Sequence, residues 1–361
     1  MARDPIRDGA EPRKILIIKP SSLGDIVHAL PVLHGLRARY PSAHIAWLVG
    51  TSFASLLEGH PQINELIRFD RARFGRMWRS PAVFLEFWRF VGEIRRRRFD
   101  LVVDLQGLIR SGLMAWLSGG WSVGFAEARE LAWAFYSRRV RPAASAVHAV
   151  ERNLAIAAAC GVTIDRPAFD LAVTDAERES ARALLGAGGL GRADAAFLAV
   201  LPGARWASKQ WPPARFAELI DRLAAEGRPR CVLLGAPSER GIADTIVGAC
   251  ESPPVDLVGR TNLRQLAALL DLSEQVICLD SGPMHIAAAL GKPLVALFGP
   301  TNPARTGPYS ARARVVTHPV PCAPCYRRVC PLGHQDCLVR LDAAQVTAEL
   351  QKPCEARSPA R

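Results

Sequence analysis

The sequence lacks the features that mark several large classes of protein. It has no uncharged apolar run near the roughly 18 residues that a membrane-spanning helix needs. Its first residues, MARDPIRDGAEPRK, contain no apolar stretch of the kind found in signal peptides. It also contains no repeat of solenoid length and no low-complexity tract. We therefore expect a cytoplasmic protein without a repeat architecture.

The sequence contains fewer acidic than basic residues. The 361 residues include 34 Asp and Glu against 46 Lys and Arg, which gives a formal net charge of +12. Such an excess attracts anions over long range, whether nucleic acid, phosphorylated metabolites or an anionic membrane. No helix-turn-helix, zinc-finger or RNP pattern accompanies the charge, so nucleic acid is not an expected partner. A hydrophobic content of 49% suffices at this length for two domain cores.

The nine cysteines are unevenly distributed. Four of them form the pattern Cys322-x2-Cys325-x4-Cys330-x6-Cys337, with His334 inside it. Thiols at this density suit zinc or an iron–sulfur cluster, although zinc fingers usually carry two spaced pairs. Reduced cysteines in a Pro-rich loop are the alternative that we favour. We expect no catalytic metal or other cofactor, and a structural metal at the four cysteines stays open.

Alternating strand and helix patterns predict the fold class. Continuous apolar runs, typical of strands buried on both faces of a parallel sheet, are followed by loops and apolar-periodic helical segments. The pattern breaks between residues 175 and 194 and then restarts. We predict an α/β protein with two doubly wound, Rossmann-like domains facing a cleft, over 1–180 and 190–340, and a C-terminal helix and tail over 341–361. The predicted strands cover 14–19, 43–49, 101–104, 196–201, 230–234, 256–258, 275–279 and 294–298.

The loop after the first predicted strand carries one carboxylate. The segment PSSLGD runs from that strand into the first turn of a helix and ends in Asp25. Ligands of doubly wound sheets bind outside the carboxyl ends of strands, so Asp25 could act as a general base on a sugar hydroxyl. By position alone, helix capping is the simpler interpretation, because Asp is favoured at helix N-termini. Asp104, at the end of another predicted strand, is the next candidate for a base.

Four loops in the second half follow predicted strands and suit an anionic ligand. Backbone N–H groups in DSGPMH, residues 280–285, could hold a diphosphate at a helix N-terminus. Lys209 and Arg205 suit phosphate charge, and Glu239 could accept hydrogen bonds from ribose hydroxyls. Taken singly, each loop is an ordinary turn, and none matches G-x-G-x-x-G or a P-loop. Together with the loop FGPT at 298–301, they favour a nucleotide ligand.

Five stretches of the chain resemble the lipopolysaccharide heptosyltransferases, glycosyltransferases with two Rossmann-like domains of the GT-B type. They are SSLGDIVHALPVL, DLQGLIRSG, SKQWPPARFAELI, GAPSER and DSGPMHIAAALGKPLVALFGPTNP, in the family's order and over nearly the whole chain. The first two are most similar to heptosyltransferase I, which adds the first heptose to the Kdo–lipid A core. The segment GARW at 203–206 is closer to heptosyltransferase II.

The resemblance implies a reaction and a set of site residues. The implied enzyme transfers heptose from ADP-L-glycero-D-manno-heptose to the Kdo or heptose inner core of lipopolysaccharide, with inversion. It uses no metal, and the sequence has no Asp-x-Asp motif. Asp25 would be the catalytic base. The implied donor-binding residues are Arg205, Lys209, Glu239, Asp280, Ser281, Gly282 and His285, and the implied acceptor-binding residues are Ser22, Gly24, Arg110, Arg129 and Lys209.

The implied acceptor is an anionic glycolipid, which places the enzyme at the inner face of the inner membrane as a peripheral protein. Aromatic residues lie between the arginines of segment 71–79, so both membrane-surface attachment and a solvated surface stay open there. The run at 95–98 is better explained as a solvated helix C-terminus. Two alternatives to the transferase remain: a non-catalytic nucleotide-sugar-binding protein, and a GT-B enzyme that uses another nucleotide sugar.

Overall fold

The computed structural model describes residues 4–7, 9–191 and 195–351 of the chain. The chain divides into two compact units, Met1–Ala172 and Val173–Arg361. Each unit contains a six-stranded sheet whose neighbouring strands are all parallel. The predicted α/β class with two doubly wound domains is confirmed. None of the helices in the described ranges is long and apolar enough to cross a membrane.

The first unit has the strand order β3-β2-β1-β4-β5-β6. Strands β2 and β3 are added on one side of β1, and β4, β5 and β6 are added on its other side. The switch point between β1 and β4 is where ligands of doubly wound sheets bind. The strands are β1 (Lys14–Ile18), β2 (His44–Gly50), β3 (Glu65–Phe69), β4 (Leu101–Asp104), β5 (Trp121–Phe125) and β6 (Arg138–Val140). The α-helices are α1 (Leu23–Val27), α2 (Leu30–Arg39), α3 (Ala54–Leu57), α4 (Arg71–Phe74), α5 (Pro81–Arg96), α6 (Ile109–Leu117) and α7 (Ala149–Ala159).

The second unit has the order β12-β11-β10-β7-β8-β9, which is the same connectivity with its switch point between β7 and β10. The strands are β7 (Phe197–Leu201), β8 (Arg230–Leu233), β9 (Val255–Asp256), β10 (Gln275–Leu279), β11 (Leu294–Phe298) and β12 (Ala313–Thr317). The α-helices are α8 (Asp175–Ala187), α9 (Pro213–Ala225), α10 (Arg240–Ala249), α11 (Leu263–Leu272), α12 (Gly282–Ala289), α13 (Pro303–Thr306), α14 (Asp336–Val339) and α15 (Ala343–Gln351).

The second unit begins before the break in the sequence pattern. Helix α8 packs on α11 and is tied to it by ion pairs, Arg264 with Glu177 at 2.5 Å and Arg178 with Asp271 at 2.7 Å. The division therefore lies at 172/173, whereas the pattern places the end of the first domain at residue 180. Helix α15 packs on α9 in the core of the second unit. Residues 352–361 of the expected tail lie outside the described residues.

Four strands of the structure are not predicted from the apolar pattern of the sequence: β3, β5, β6 and β12. Strands β3 and β12, ELIRF and ARVVT, lie at sheet edges and carry charged residues within them. Strand β6 has only three residues, RRV, two of them exposed. Strand β5, WSVGF, includes a serine and a glycine that interrupt its apolar run. An apolar pattern finds the central strands because these are buried on both faces.

Candidate functional site

The carboxyl edge of the first sheet brings together the loops after β1, β4 and β5. The Ser21 N–H donates to Oε1 of Gln106, in the loop after β4, at 3.4 Å. The Arg129 N–H, in the loop after β5, donates to the Gly107 carbonyl at 3.1 Å. Arg110, in the first turn of α6, is exposed, as is Arg129. The predicted acceptor-binding residues of this unit therefore share one edge, at its switch point.

Asp25 lies at the third position of α1, and one of its oxygens caps the helix. Its Oδ2 accepts the backbone N–H of Ser22 at 2.8 Å and the Ser22 hydroxyl at 2.7 Å. Ser22 is exposed and Gly24 is buried in the same first turn. The Asp25 side chain is 42% exposed, and its Oδ1 lies 3.9 Å from Nζ of Lys19. Capping is thus observed, and the carboxylate is also accessible to a substrate.

Lys19 was not predicted from sequence as a site residue. Its side chain is 8% exposed, and Nζ donates to the Leu105 carbonyl at 2.7 Å. The buried ammonium places a positive charge next to the Asp25 carboxylate. The signal in the sequence is a lysine placed directly after a strand that is buried from Ile15 to Ile18.

Asp104, the second candidate for a base, is enclosed by the protein. Its carboxylate accepts the Tyr136 hydroxyl at 2.7 Å and the Gln106 N–H at 2.8 Å, and the residue is fully buried. Burial raises the pKa of Asp104, and the hydrogen bonds from Tyr136 and Ser111 oppose that shift. The carboxyl holds the loop after β4 in place, so it does not reach a substrate.

The switch point of the second sheet brings Lys209 and Asp280 into contact. Nζ of Lys209 lies 2.6 Å from Oδ2 of Asp280, with the two side chains 16% and 7% exposed. The Thr301 hydroxyl donates to the same oxygen. The Lys209 ammonium also lies 4.6 Å from the centre of the Trp206 ring, a cation–π contact. Thr301 and Trp206 were not among the predicted site residues, although both lie in loops that follow strands.

The N-terminus of α12 lies at the same edge. Ser281 is its N-cap residue and Gly282 its first helical residue. Among the described residues, the Ser281 hydroxyl is buried and has no hydrogen-bond partner. The first turn of a helix also leaves backbone N–H groups without intrahelical acceptors. His285 is 7% exposed and belongs to the buried face of α12, so it is part of the packing and not of an open loop.

Glu239 reaches from the loop after β8 into a space left by two glycines. Its Oε2 accepts the Ala236 N–H at 2.8 Å. A Cβ atom on Gly203 would lie 1.9 Å from Oε1, and one on Gly235 would lie 2.5 Å from Oε2. Burial raises the pKa of Glu239, and the bond from Ala236 opposes the shift. Arg205 is exposed in the loop after β7, two residues beyond Gly203.

The cysteine segment 322–337 borders the loop that carries Lys209. Gln335 Nε2 donates to the carbonyls of Ala207 at 3.2 Å and Gln210 at 2.7 Å. The Ser208 N–H donates to the Arg328 carbonyl at 3.1 Å. All four cysteines line one small cavity, yet within the described ranges no group of three or more His, Cys, Asp and Glu is placed to hold a metal. Through these hydrogen bonds the cysteine segment fixes the position of the loop that carries Lys209.

Comparison with known proteins gives consistent matches over most of the chain. The model of "Glycosyltransferase family 9 (heptosyltransferase)" matches residues 87–335. The chain is 32% identical to lipopolysaccharide heptosyltransferase 1 of Pseudomonas aeruginosa, over 88% of this chain and 87% of that protein. It is 29% identical to lipopolysaccharide heptosyltransferase 2 of Salmonella typhimurium, over 84% and 87%.

Solved structures agree with these matches. The E. coli heptosyltransferase WaaC with ADP superimposes with a TM-score of 0.75 at 28% identity, covering 94% of this chain and 99% of that one. A glycosyl transferase of family 9 from Veillonella parvula gives a TM-score of 0.81 at 26% identity, covering 94% and 96%.

Proposed function

The chain belongs to glycosyltransferase family 9, the heptosyltransferases, and from this premise we propose how its two units divide the reaction. It is a lipopolysaccharide heptosyltransferase that takes heptose from ADP-heptose and transfers it to the inner core. The second unit holds the donor, and the carboxyl edge of the first sheet holds the acceptor.

The observation that carries the donor assignment is the buried, unpartnered Ser281 hydroxyl at the N-terminus of α12. A diphosphate there accepts a hydrogen bond from Ser281 and from the N–H groups of the first turn, and it benefits from the helix dipole. The Lys209 ammonium, 2.6 Å from Asp280, lies in the loop after the neighbouring strand. Its charge is then shared between Asp280 and the phosphates, and Arg205 adds a second cation. The Glu239 carboxylate accepts from the ribose hydroxyls.

We propose a single displacement with inversion at the anomeric carbon. The acceptor hydroxyl attacks that carbon, its proton passes to the Asp25 carboxylate, and the bond to the diphosphate oxygen breaks with its electrons leaving on ADP. Lys209, the Ser281 hydroxyl and the backbone N–H groups of α12 stabilise the charge that develops on the diphosphate. These residues perform the role that a divalent ion performs in other transferases, so the mechanism is proposed to need no metal.

We infer the acceptor-binding surface from exposed, positively charged side chains of the first unit. Arg110 and Arg129 are exposed at the same carboxyl edge of the first sheet as Ser22 and Asp25, and guanidinium groups suit the carboxylate and phosphate groups of a Kdo-bearing lipid A. Such an acceptor is anchored in a bilayer by its acyl chains. We therefore place the enzyme as a peripheral protein at the cytoplasmic face of the inner membrane.

The first experiment measures turnover of the purified chain with ADP-heptose and Kdo–lipid A, following ADP release and the mass of the glycolipid. A thermal-shift series with ADP, UDP, GDP and CMP identifies the nucleotide, and we expect the largest shift with ADP. A shift with ADP but no transfer to any Kdo- or heptose-bearing acceptor would identify a non-catalytic binder. A larger shift with another nucleotide would redirect the donor assignment.

The second experiment tests the base. Asp25→Asn keeps the size of the side chain and much of its capping ability, so we expect kcat to fall by ~10²–10⁴ while ADP affinity is kept. The matched control is Glu151→Gln, because Glu151 Oε2 accepts the His148 N–H at 3.2 Å as the same kind of cap at the start of α7. The control should keep its kcat. Near-parental kcat in Asp25→Asn, with a lowered Tm, would leave Asp25 as a helix cap only.

A further inference from the structure

Four exposed apolar side chains lie close together in the first unit. They are Trp78, Phe84, Leu85 and Trp88, exposed by 79%, 37%, 57% and 44%, and we call them the aromatic patch. Ring centroids lie 6.3 Å apart for Trp78 and Phe84 and 6.1 Å apart for Phe84 and Trp88. The three rings therefore adjoin one another, and Leu85 is the neighbour of Phe84 in sequence. Contiguous exposed apolar surface of this kind marks an interaction site more often than an isolated exposed residue does.

The helix that carries most of the patch also contributes to a core. Phe87, Val91 and Ile94 of α5 are buried in the core of the first unit. Phe84 and Trp88, one helical turn apart, lie beside the buried stripe of α5, and Leu85 lies further from it; all three are exposed to solvent. A surface helix normally turns polar residues outward on its exposed side. Glu86 is the only charged residue among residues 81–88 of α5, so the exposed side of the first half of this helix is mainly apolar.

The surroundings of the patch are strongly basic. Residues 71–98 include nine arginines and only two glutamates. One of these glutamates, Glu86, is paired with Arg73 at 2.7 Å. Eight of these nine arginines are exposed, and Arg76, Arg79 and Arg89 lie within two residues of the patch in sequence. An apolar centre with a cationic surround complements the headgroup region of an anionic bilayer, where acyl chains and phosphates lie next to each other.

We propose that the aromatic patch is the surface by which this protein docks on an anionic lipid bilayer. Trp78 and Trp88 enter the headgroup level, the depth that tryptophan prefers, and the surrounding arginines bind lipid phosphates. The proposal rests on the proposed function in so far as a membrane-anchored acceptor explains why docking is useful. Docking itself needs neither donor nor turnover.

The test is co-sedimentation of the full chain with phosphatidylcholine vesicles, with and without phosphatidylglycerol. We expect sedimentation with the anionic vesicles, weakened by salt, and a loss of roughly tenfold or more in the variant Trp78→Ala/Trp88→Ala. The matched control is Trp116→Ala, because Trp116 is 59% exposed on α6, a different helix of the same unit. The control should sediment as the parent does. Circular dichroism and the ADP thermal shift verify that each variant is folded.

Three outcomes would overturn the docking proposal: no sedimentation of the parent, equal sedimentation with uncharged vesicles, or undiminished sedimentation of the double variant. Turnover separates it from the proposed function. With a deacylated, water-soluble acceptor, the double variant should keep the parental kcat, since its donor and acceptor sites are intact. A parent that binds vesicles but transfers no heptose contradicts the proposed function and leaves docking supported, whereas a parent that transfers heptose but ignores anionic vesicles contradicts docking alone.

Discussion

Gly203→Ala should move the Glu239 carboxylate out of the proposed ribose site. The new Cβ would lie 1.9 Å from Oε1 and 2.0 Å from Cδ of Glu239. Carbon atoms in ordinary contact lie about 3.5 Å or more from their neighbours, so the carboxylate must retreat by more than about 1.5 Å. The obstructing atoms are the end of a flexible side chain, and rotation of that side chain relieves the clash without a shift of the backbone. Function should therefore suffer more than stability.

The magnitude follows from the bonds that the carboxylate makes. Hydrogen bonds to a charged group contribute about 1.5–3 kcal/mol, which corresponds to about 10–150-fold in Kd. We expect the Kd for ADP to rise within that range. The free energy of unfolding should change little. Burial raises the pKa of Glu239, which means that the folded protein gains little from holding the ionised carboxylate where it is, and loses little when the carboxylate is displaced. The lost Ala236 hydrogen bond, 2.8 Å in the parent, is the main cost.

Calorimetry of ADP binding to Gly203→Ala, Glu239→Ala and the double variant tests this mechanism. If Gly203→Ala acts by displacing Glu239, the double variant binds ADP as Glu239→Ala does, and the two effects are not additive. Gly248→Ala is the matched control, since a Cβ there meets nothing within 4 Å. It should leave the Kd unchanged. A parental Kd for Glu239→Ala would refute the role of Glu239 in holding the nucleotide, whereas a parental Kd for Gly203→Ala, or full additivity in the double variant, would refute the displacement mechanism.

Two further predictions concern metal and pH. Turnover should persist in the presence of a chelator, because Lys209 and backbone N–H groups meet the diphosphate charge; loss of activity that Mg²⁺ or Mn²⁺ restores would contradict the metal-free mechanism. Burial, helped by the nearby His60, lowers the pKa of His34. Below about pH 6.5 the unfolded chain then binds a proton that the folded chain does not, so stability is kept above that pH and lost below it. The Tm of His34→Gln should fall less than the parent's between about pH 7 and pH 5, and an equal fall would show that His34 does not contribute.

The central strands of both sheets could be predicted because burial on both faces leaves a continuous apolar run in the sequence. The positions of the loops that follow these strands could be predicted with them, and such loops, or the residues directly after them, contain Asp25, Lys209, Glu239 and Asp280. The capping role of Asp25 could also be predicted, because its position three residues after Ser22 is a property of the local sequence alone.

Side-chain contacts between these loops could not be predicted, because they depend on the order of the strands. In the second sheet β7 lies between β10 and β8. The loop after β7 therefore meets a neighbour on each side: Lys209 pairs with Asp280 from β10, and Gly203 makes room for Glu239 from β8. Strand periodicity is the same whichever order the sheet adopts, so a sequence pattern identifies the three loops without showing which is central. If the donor binds as we propose, this central position lets the loop after β7 contact the diphosphate through Lys209 and shape the ribose site through the space at Gly203.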